Sequence, residues 1–111
     1  MTYAAPGTTG SIVDVVDRYD NFIGGKWLPP RNGEYMTNLC PATATTICEV
    51  ARSSAQDVDD ALDAAHVAAT DWGRASQTER AVVLNKIADA IDANREMLAV
   101  AESWENGKPV R

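Results

Sequence analysis

Two thiols, one imidazole, a Gly-Gly pair and a cluster of aspartates are the parts of this sequence with chemistry to weigh. Cys40 and Cys48 are its only cysteines. A thiol becomes a nucleophile when a neighbouring His, Lys or helix N-terminus favours the thiolate, and neither cysteine has such a neighbour in sequence. Both therefore read as reduced thiols, with Cys48 a small buried apolar residue of a strand. A zinc site would need further soft or imidazole ligands at short spacing, yet the single histidine, His66, lies in a different segment. His66 falls off the apolar stripe of its helix and reads as a surface residue rather than a general base. Gly24-Gly25 is no dinucleotide fingerprint, because no helix opens after it and the other glycines of that motif are missing. The Asp57-Val58-Asp59-Asp60 cluster resembles a cation site, but acids in a first helical turn are explained by the helix dipole. Trp27, Trp72 and Trp104 read as packing residues before they read as a ligand pocket. These residues lead to an expectation of no catalytic and no cofactor-binding residue.

The elements that carry these groups follow from composition and period. With 111 residues, 45% hydrophobic and 23% charged, the chain suits one small globular domain. A net charge of −6 excludes a nucleic-acid partner and disfavours an anionic membrane surface, since both draw binding energy from Lys and Arg. No apolar run reaches the roughly 18 residues of a membrane span, and the first ten residues lack the basic start and apolar core of a secretory signal. A cytoplasmic protein is expected.

Residues 1–18 read as a loosely ordered N-terminal arm carrying the patch Ile12-Val13-Asp14-Val15-Val16. Asn21-Phe22-Ile23 and Lys26-Trp27-Leu28 flank Gly24-Gly25 as a β-hairpin, stopped by Pro29-Pro30. Tyr35–Leu39 and Thr46–Ala51 around Pro41-Ala42-Thr43 predict a second hairpin. After Arg52 the apolar period changes from two to about 3.6. Ser54 and Asp57 form a capping box before an Ala-rich face of Val58, Ala61, Leu62, Ala65, Ala68, Ala69 and Trp72, and Gly73 is expected to end that helix. Ser76 and Glu79 repeat the box before a second helix with Arg80, Val83, Leu84, Ile87, Ala88 and Ile91. Asn94 is expected to cap a third helix with Met97, Leu98, Ala101 and Trp104, reaching Gly107 and Pro109. The predicted fold class is α+β, two β-hairpins followed by three helices.

From Tyr19 onward the order and spacing of Phe22-Ile23-Gly24-Gly25-Lys26-Trp27, Asp57-Val58-Asp59-Asp60-Ala61, Trp72, Ser76 to Arg80, Ile87-Ala88-Asp89 and Glu105-Asn106-Gly107-Lys108-Pro109 resemble the N-terminal region of the NAD(P)-dependent aldehyde dehydrogenase superfamily. The family's second turn reads Asn-Pro-Ala-Thr-Gly; here Cys40 replaces the Asn and Ala44 the Gly, which puts the usual turn conformation in doubt. The resemblance implies that residues 19–111 are a truncated N-terminal part of an α/β aldehyde dehydrogenase domain. It further implies a full-length enzyme in which a cysteine thiolate attacks an aldehyde, hydride passes to NAD or NADP, and water activated by a glutamate releases the acid. All of those groups lie downstream in the family, as does the Rossmann-type cofactor site. The chain alone is therefore expected to be inactive, to bind no cofactor, and to meet an aldehyde only as part of the full-length protein. The family is usually a homodimer or homotetramer. Several members hold sodium or potassium, and the positions matching that site are Asn38, Leu39 and Glu105. The alternative is a stand-alone interaction module that binds related dehydrogenase subunits.

Overall fold

Local chemistry places the elements in the order the sequence predicts, with one strand added. The computed structural model describes residues 3–110. Its strands are β1 (Arg18–Tyr19), β2 (Asn21–Ile23), β3 (Lys26–Leu28), β4 (Tyr35–Leu39) and β5 (Thr46–Ala51); its helices are α1 (Ala55–Arg74), α2 (Gln77–Ala93) and α3 (Arg95–Asn106). This is an α+β arrangement. The chain divides into two units, one of Asp20–Tyr35 and Ala51–Ala90, the other of the residues up to Tyr19, Met36–Val50 and those from Ile91 on.

In the first unit β2 and β3 pair antiparallel, with Asn21 opposite Leu28, Phe22 opposite Trp27 and Ile23 opposite Lys26. The two-residue turn needs positive φ at both positions, and Gly24 and Gly25 supply it at 58° and 78°. Phe22 and Trp27 meet across the strands with ring centroids 5.1 Å apart. Both remain 61% exposed, and Trp72 is 46% exposed, so neither Trp27 nor Trp72 is the buried packing residue expected of it.

The capping box of α1 forms as predicted. The Asp57 backbone N–H donates to Ser54 Oγ at 3.4 Å, while Ser54 N and Oγ both donate to Asp57 Oδ2 at 2.7 Å. The other carboxylate oxygen is used as well: the backbone N–H of Arg31 donates to Asp57 Oδ1 at 2.9 Å. Asp57 is only 3% exposed, so these bonds are what make its burial tolerable. Arg31 adds a bidentate pair to Asp60, at 2.6 and 2.8 Å.

Gly73 does not end α1. The helix runs on to Arg74 and stops at Ala75, whose backbone is extended at φ −60°, ψ 138°. A left-handed glycine cap is not needed there because Arg80 reaches back with Nη1 to the carbonyls of Ala75 at 2.9 Å and Trp72 at 3.4 Å. The Ser76/Glu79 box then starts α2, with Ser76 N donating to Glu79 Oε2 at 2.7 Å and Glu79 N to Ser76 Oγ at 3.2 Å. The apolar stripe of α2 is left uncovered: Val83, Leu84, Ile87 and Ile91 are 41–61% exposed.

In the second unit β5 lies between β1 and β4. The backbone bond from Cys40 N to Thr45 O closes β4 and β5 as the predicted second hairpin. β1 is not among the strands that the sequence predicts. It is two residues long and pairs parallel to β5, Arg18 with Glu49 and Tyr19 with Val50, and the Arg18 guanidinium also binds the Glu49 carboxylate at 2.5 Å. Before it, Val13 is buried and its carbonyl accepts from Gly7 N at 3.1 Å. Asn94 stands at the N-cap of α3, yet its side chain makes no capping bond; its φ and ψ of −112° and 14° are not those of an extended cap. Gly107 closes α3 in the left-handed region. Among the described residues no helix is long and apolar enough to cross a membrane.

The two boxes fix a sign for acid sensitivity. The Ser54 backbone N–H, then its hydroxyl, hold the Asp57 carboxyl below its ordinary 3.8, and Ser76 does the same to Glu79 against 4.5. A carboxyl with a lowered folded pKa stabilises the fold above its unfolded pKa and loses that contribution as pH falls through the folded value. Helicity followed by circular dichroism in urea should therefore show a midpoint flat above about pH 5 and falling below about 4.5. Ser54→Ala should cost about 1 kcal/mol at neutral pH by the same measurement.

Candidate functional site

Asn38, Cys48 and Glu105 are brought together in the second unit by three elements. Asn38 comes from β4, Cys48 from β5 and Glu105 from the last turn of α3. The Asn38 amide Nδ2 donates to both carboxylate oxygens of Glu105, at 2.9 and 3.0 Å, and lies 3.8 Å from the Cys48 sulfur. These side chains line one side of a cavity of about 400 Å³ whose other walls include Val13, Tyr19 and Met97. The residues are 67 apart at their widest, so no spacing rule could have joined them.

Of the three positions matched to the cation site, Asn38 and Glu105 are thus in direct contact. Leu39 is the last residue of β4 and is half exposed. A carboxylate and backbone carbonyls are the donors a hard monovalent ion takes. Any such ion would have to share Glu105 with the Asn38 amide. Among the described residues no group of three or more His, Cys, Asp or Glu side chains stands together as a metal cluster. His66 is exposed on α1, and Gly24-Gly25 is the tip of a hairpin.

Directly after Leu39 the chain turns through residues 40–45. Cys40 N donates to Thr45 O at 2.9 Å and Ala44 N to Cys40 O at 2.8 Å. Cys40 is 1% exposed. Hydrogen bonding from the Thr43 side chain holds its thiol below the ordinary range, against the opposing effect of burial and with help from the backbone of Ala42 and Thr43. Thr43 and the neighbouring backbone lower the thiol's pKa without any His, Lys or helix terminus. This does not create an accessible nucleophile, because the sulfur is enclosed. Cys48, 5% exposed, is enclosed too.

Ala44 keeps the backbone that a glycine would be expected to supply. Its φ is +57°, and among the described residues it is the one non-glycine in the left-handed region. Ala44 thus takes the left-handed φ that a glycine would favour, at a steric cost, inside a turn closed by two backbone hydrogen bonds.

Comparison with known proteins gives a consistent result. The sequence model of the aldehyde dehydrogenase family matches residues 27–111. A probable aldehyde dehydrogenase of Streptomyces coelicolor is 60% identical over 109 residues, covering 98% of this chain and 22% of that protein. An aldehyde dehydrogenase of Deinococcus radiodurans is 59% identical, covering 98% and 21%. Among solved structures, an NAD-dependent aldehyde dehydrogenase from Sinorhizobium meliloti superposes with a TM-score of 0.79 at 33% identity, over 96% of this chain and 22% of that one. The chain spans about a fifth of the length of the curated relatives it matches.

Relief of the left-handed strain is measurable. A left-handed conformation costs a non-glycine residue roughly 1–2 kcal/mol, and glycine returns roughly 0.5–1 kcal/mol of that as unfolded-state entropy. Ala44→Gly should accordingly raise stability by about 0.5–1 kcal/mol in urea titration.

Proposed function

The chain belongs to the aldehyde dehydrogenase family, and from that premise we propose that it contributes the N-terminal part of an enzyme oxidising an aldehyde to a carboxylic acid with NAD or NADP, and is inactive by itself. The observation that carries this reading is coverage: nearly all of the chain aligns with about a fifth of each relative. Oxidation of an aldehyde by this family's chemistry requires an accessible thiolate, a base and a bound nicotinamide. The residues present do not fit the dinucleotide. Gly24-Gly25 leads into β3 rather than a helix, so no helix N-terminus follows it to receive a pyrophosphate. The two thiols do not fit the nucleophile either, each being at least 95% enclosed. The structural part that remains is scaffolding: a hairpin-and-helix unit and a sheet that present surfaces to other residues of such an enzyme.

A monovalent cation near Asn38, Leu39 and Glu105 is part of the same proposal. Glu105 keeps lone pairs beyond those that accept from Asn38, and oxygen donors suit sodium or potassium. The ion would tie the end of β4 to the end of α3.

Incubation of the isolated chain with acetaldehyde and NAD or NADP should give no rise in absorbance from reduced nicotinamide; steady turnover would overturn the reading. For the ion, exchanging sodium and potassium for tetramethylammonium should lower the melting temperature of a full-length protein carrying this segment, and Glu105→Gln should remove that dependence. An unchanged melting temperature would eliminate the cation.

A further inference from the structure

Two Asn-Gly pairs occur in the chain, Asn32-Gly33 and Asn106-Gly107. A glycine has no Cβ to hinder close approach to its nitrogen, so after an asparagine that nitrogen can reach the side-chain carbonyl carbon. The two pairs share part of their geometry. In each, the backbone N–H two residues on donates to the asparagine Oδ1, Glu34 N to Asn32 at 3.1 Å and Lys108 N to Asn106 at 2.9 Å. Such a donor polarises the carbonyl and stabilises the oxyanion that forms when a nucleophile adds to its carbon. The glycine N–H is bonded in both, Gly33 N to Pro30 O at 2.8 Å and Gly107 N to Ser103 O at 2.9 Å. They differ at the nitrogen that has to leave. Asn106 is the last residue of α3, and its Nδ2 is held by the Glu102 carboxylate one turn back. Asn32 lies exposed in the turn between β3 and β4, and the bond from Glu34 is its one side-chain hydrogen bond among the described residues. The space beside Gly33 is open, with no atom within 4 Å of where a Cβ would stand.

We propose that Asn32 is a site of spontaneous covalent modification, in which the Gly33 backbone nitrogen attacks Asn32 Cγ and a cyclic imide carries the residue to aspartate and isoaspartate. The bond from Gly33 N to Cγ forms and the Cγ–Nδ2 bond breaks, and the Gly33 amide proton leaves with Nδ2 as ammonia. Water then opens the imide, giving aspartate by addition at Cγ and isoaspartate by addition at the Asn32 backbone carbonyl. The sum is a side-chain amide and water converted to a carboxylic acid and ammonia. At Asn106 the same attack first requires the last turn of α3 to open. What adjoins Asn32 gives the change a consequence. Isoaspartate adds a methylene to the main chain directly after Arg31, whose backbone N–H donates to the buried Asp57 Oδ1 at 2.9 Å. Either product also places a new negative charge beside Glu34. Displacing Arg31 leaves the Asp57 carboxylate with one donor fewer, so the modification loosens the start of α1.

Incubation of the chain in mildly alkaline buffer, followed by peptide mapping with mass spectrometry, should convert Asn32 several-fold faster than Asn106, with isoaspartate among the products. In urea concentrated enough to unfold the chain the two rates should converge, because both asparagines then have a glycine neighbour and no helix. Equal rates in the native chain, faster conversion at Asn106, or no conversion at either would overturn the site. The consequence is read on the same samples. The urea midpoint of the chain should fall in step with conversion at Asn32, while that of Asn32→Gln, whose longer side chain closes its ring far more slowly, should stay unchanged. A midpoint that holds while Asn32 converts, or that falls equally in Asn32→Gln, refutes the link to Asp57.

Discussion

A single buried carboxylate holds the hairpin-and-helix unit together. Asp57 has both oxygens engaged, one by the backbone and hydroxyl of Ser54, the other by the backbone of Arg31. A buried charge without such donors is strongly unfavourable, so the loop after β3 and the start of α1 can occupy only the arrangement that supplies them. The Arg31 guanidinium fork on Asp60 reinforces the same junction from the exposed side. With the helix start tied to the loop that leaves the hairpin, α1 is set beside β2. Asp57 therefore fixes how the start of α1 meets the loop that leaves β3.

Polar and backbone-directed contacts define much of what the described residues share with one another. Among the described residues Val13, Cys40, Cys48 and Val100 are buried hydrophobic side chains, while the apolar stripes of α1 and α2 stay largely open. The helices are specified by their ends, through two Ser-based boxes, the Arg80 side chain and the Gly107 cap. This division suits a segment of a larger family fold. Most of the capping and turn bonds form within the segment, because they join residues close in sequence, whereas the burial of amphipathic faces requires a second surface.

The turn at residues 40–45 shows how a backbone conformation survives the loss of its favoured residues. Cys40 stands where the family has an amide side chain, its thiol held below the ordinary range by Thr43 and the neighbouring backbone, and Ala44 accepts a left-handed φ that glycine would take freely. The strain persists because neighbours over-determine it: Cys40 bonds to both Ala44 and Thr45, and Pro41 lies against Gly107 at the end of α3.

Helices, caps and hairpins were legible in advance because each is written in residues no more than a few positions apart: Ser54 with Asp57, Ser76 with Glu79, Gly24 with Gly25. Family membership was legible for a related reason, as the ordered set of those local motifs. The failures also have a pattern. Residue type alone makes Gly73 and Asn94 caps, but Arg80 supplies the contact that makes the first unnecessary and the backbone around the second is not that of a side-chain cap. The pairing of Arg18 with Glu49, the third donor to Asp57 from Arg31, and the contact of Asn38 with Glu105 join residues 31, 26 and 67 positions apart. Such contacts leave no periodic trace in a sequence. They form only after the intervening loop has been closed, at an entropic cost set by the whole chain and not by either residue.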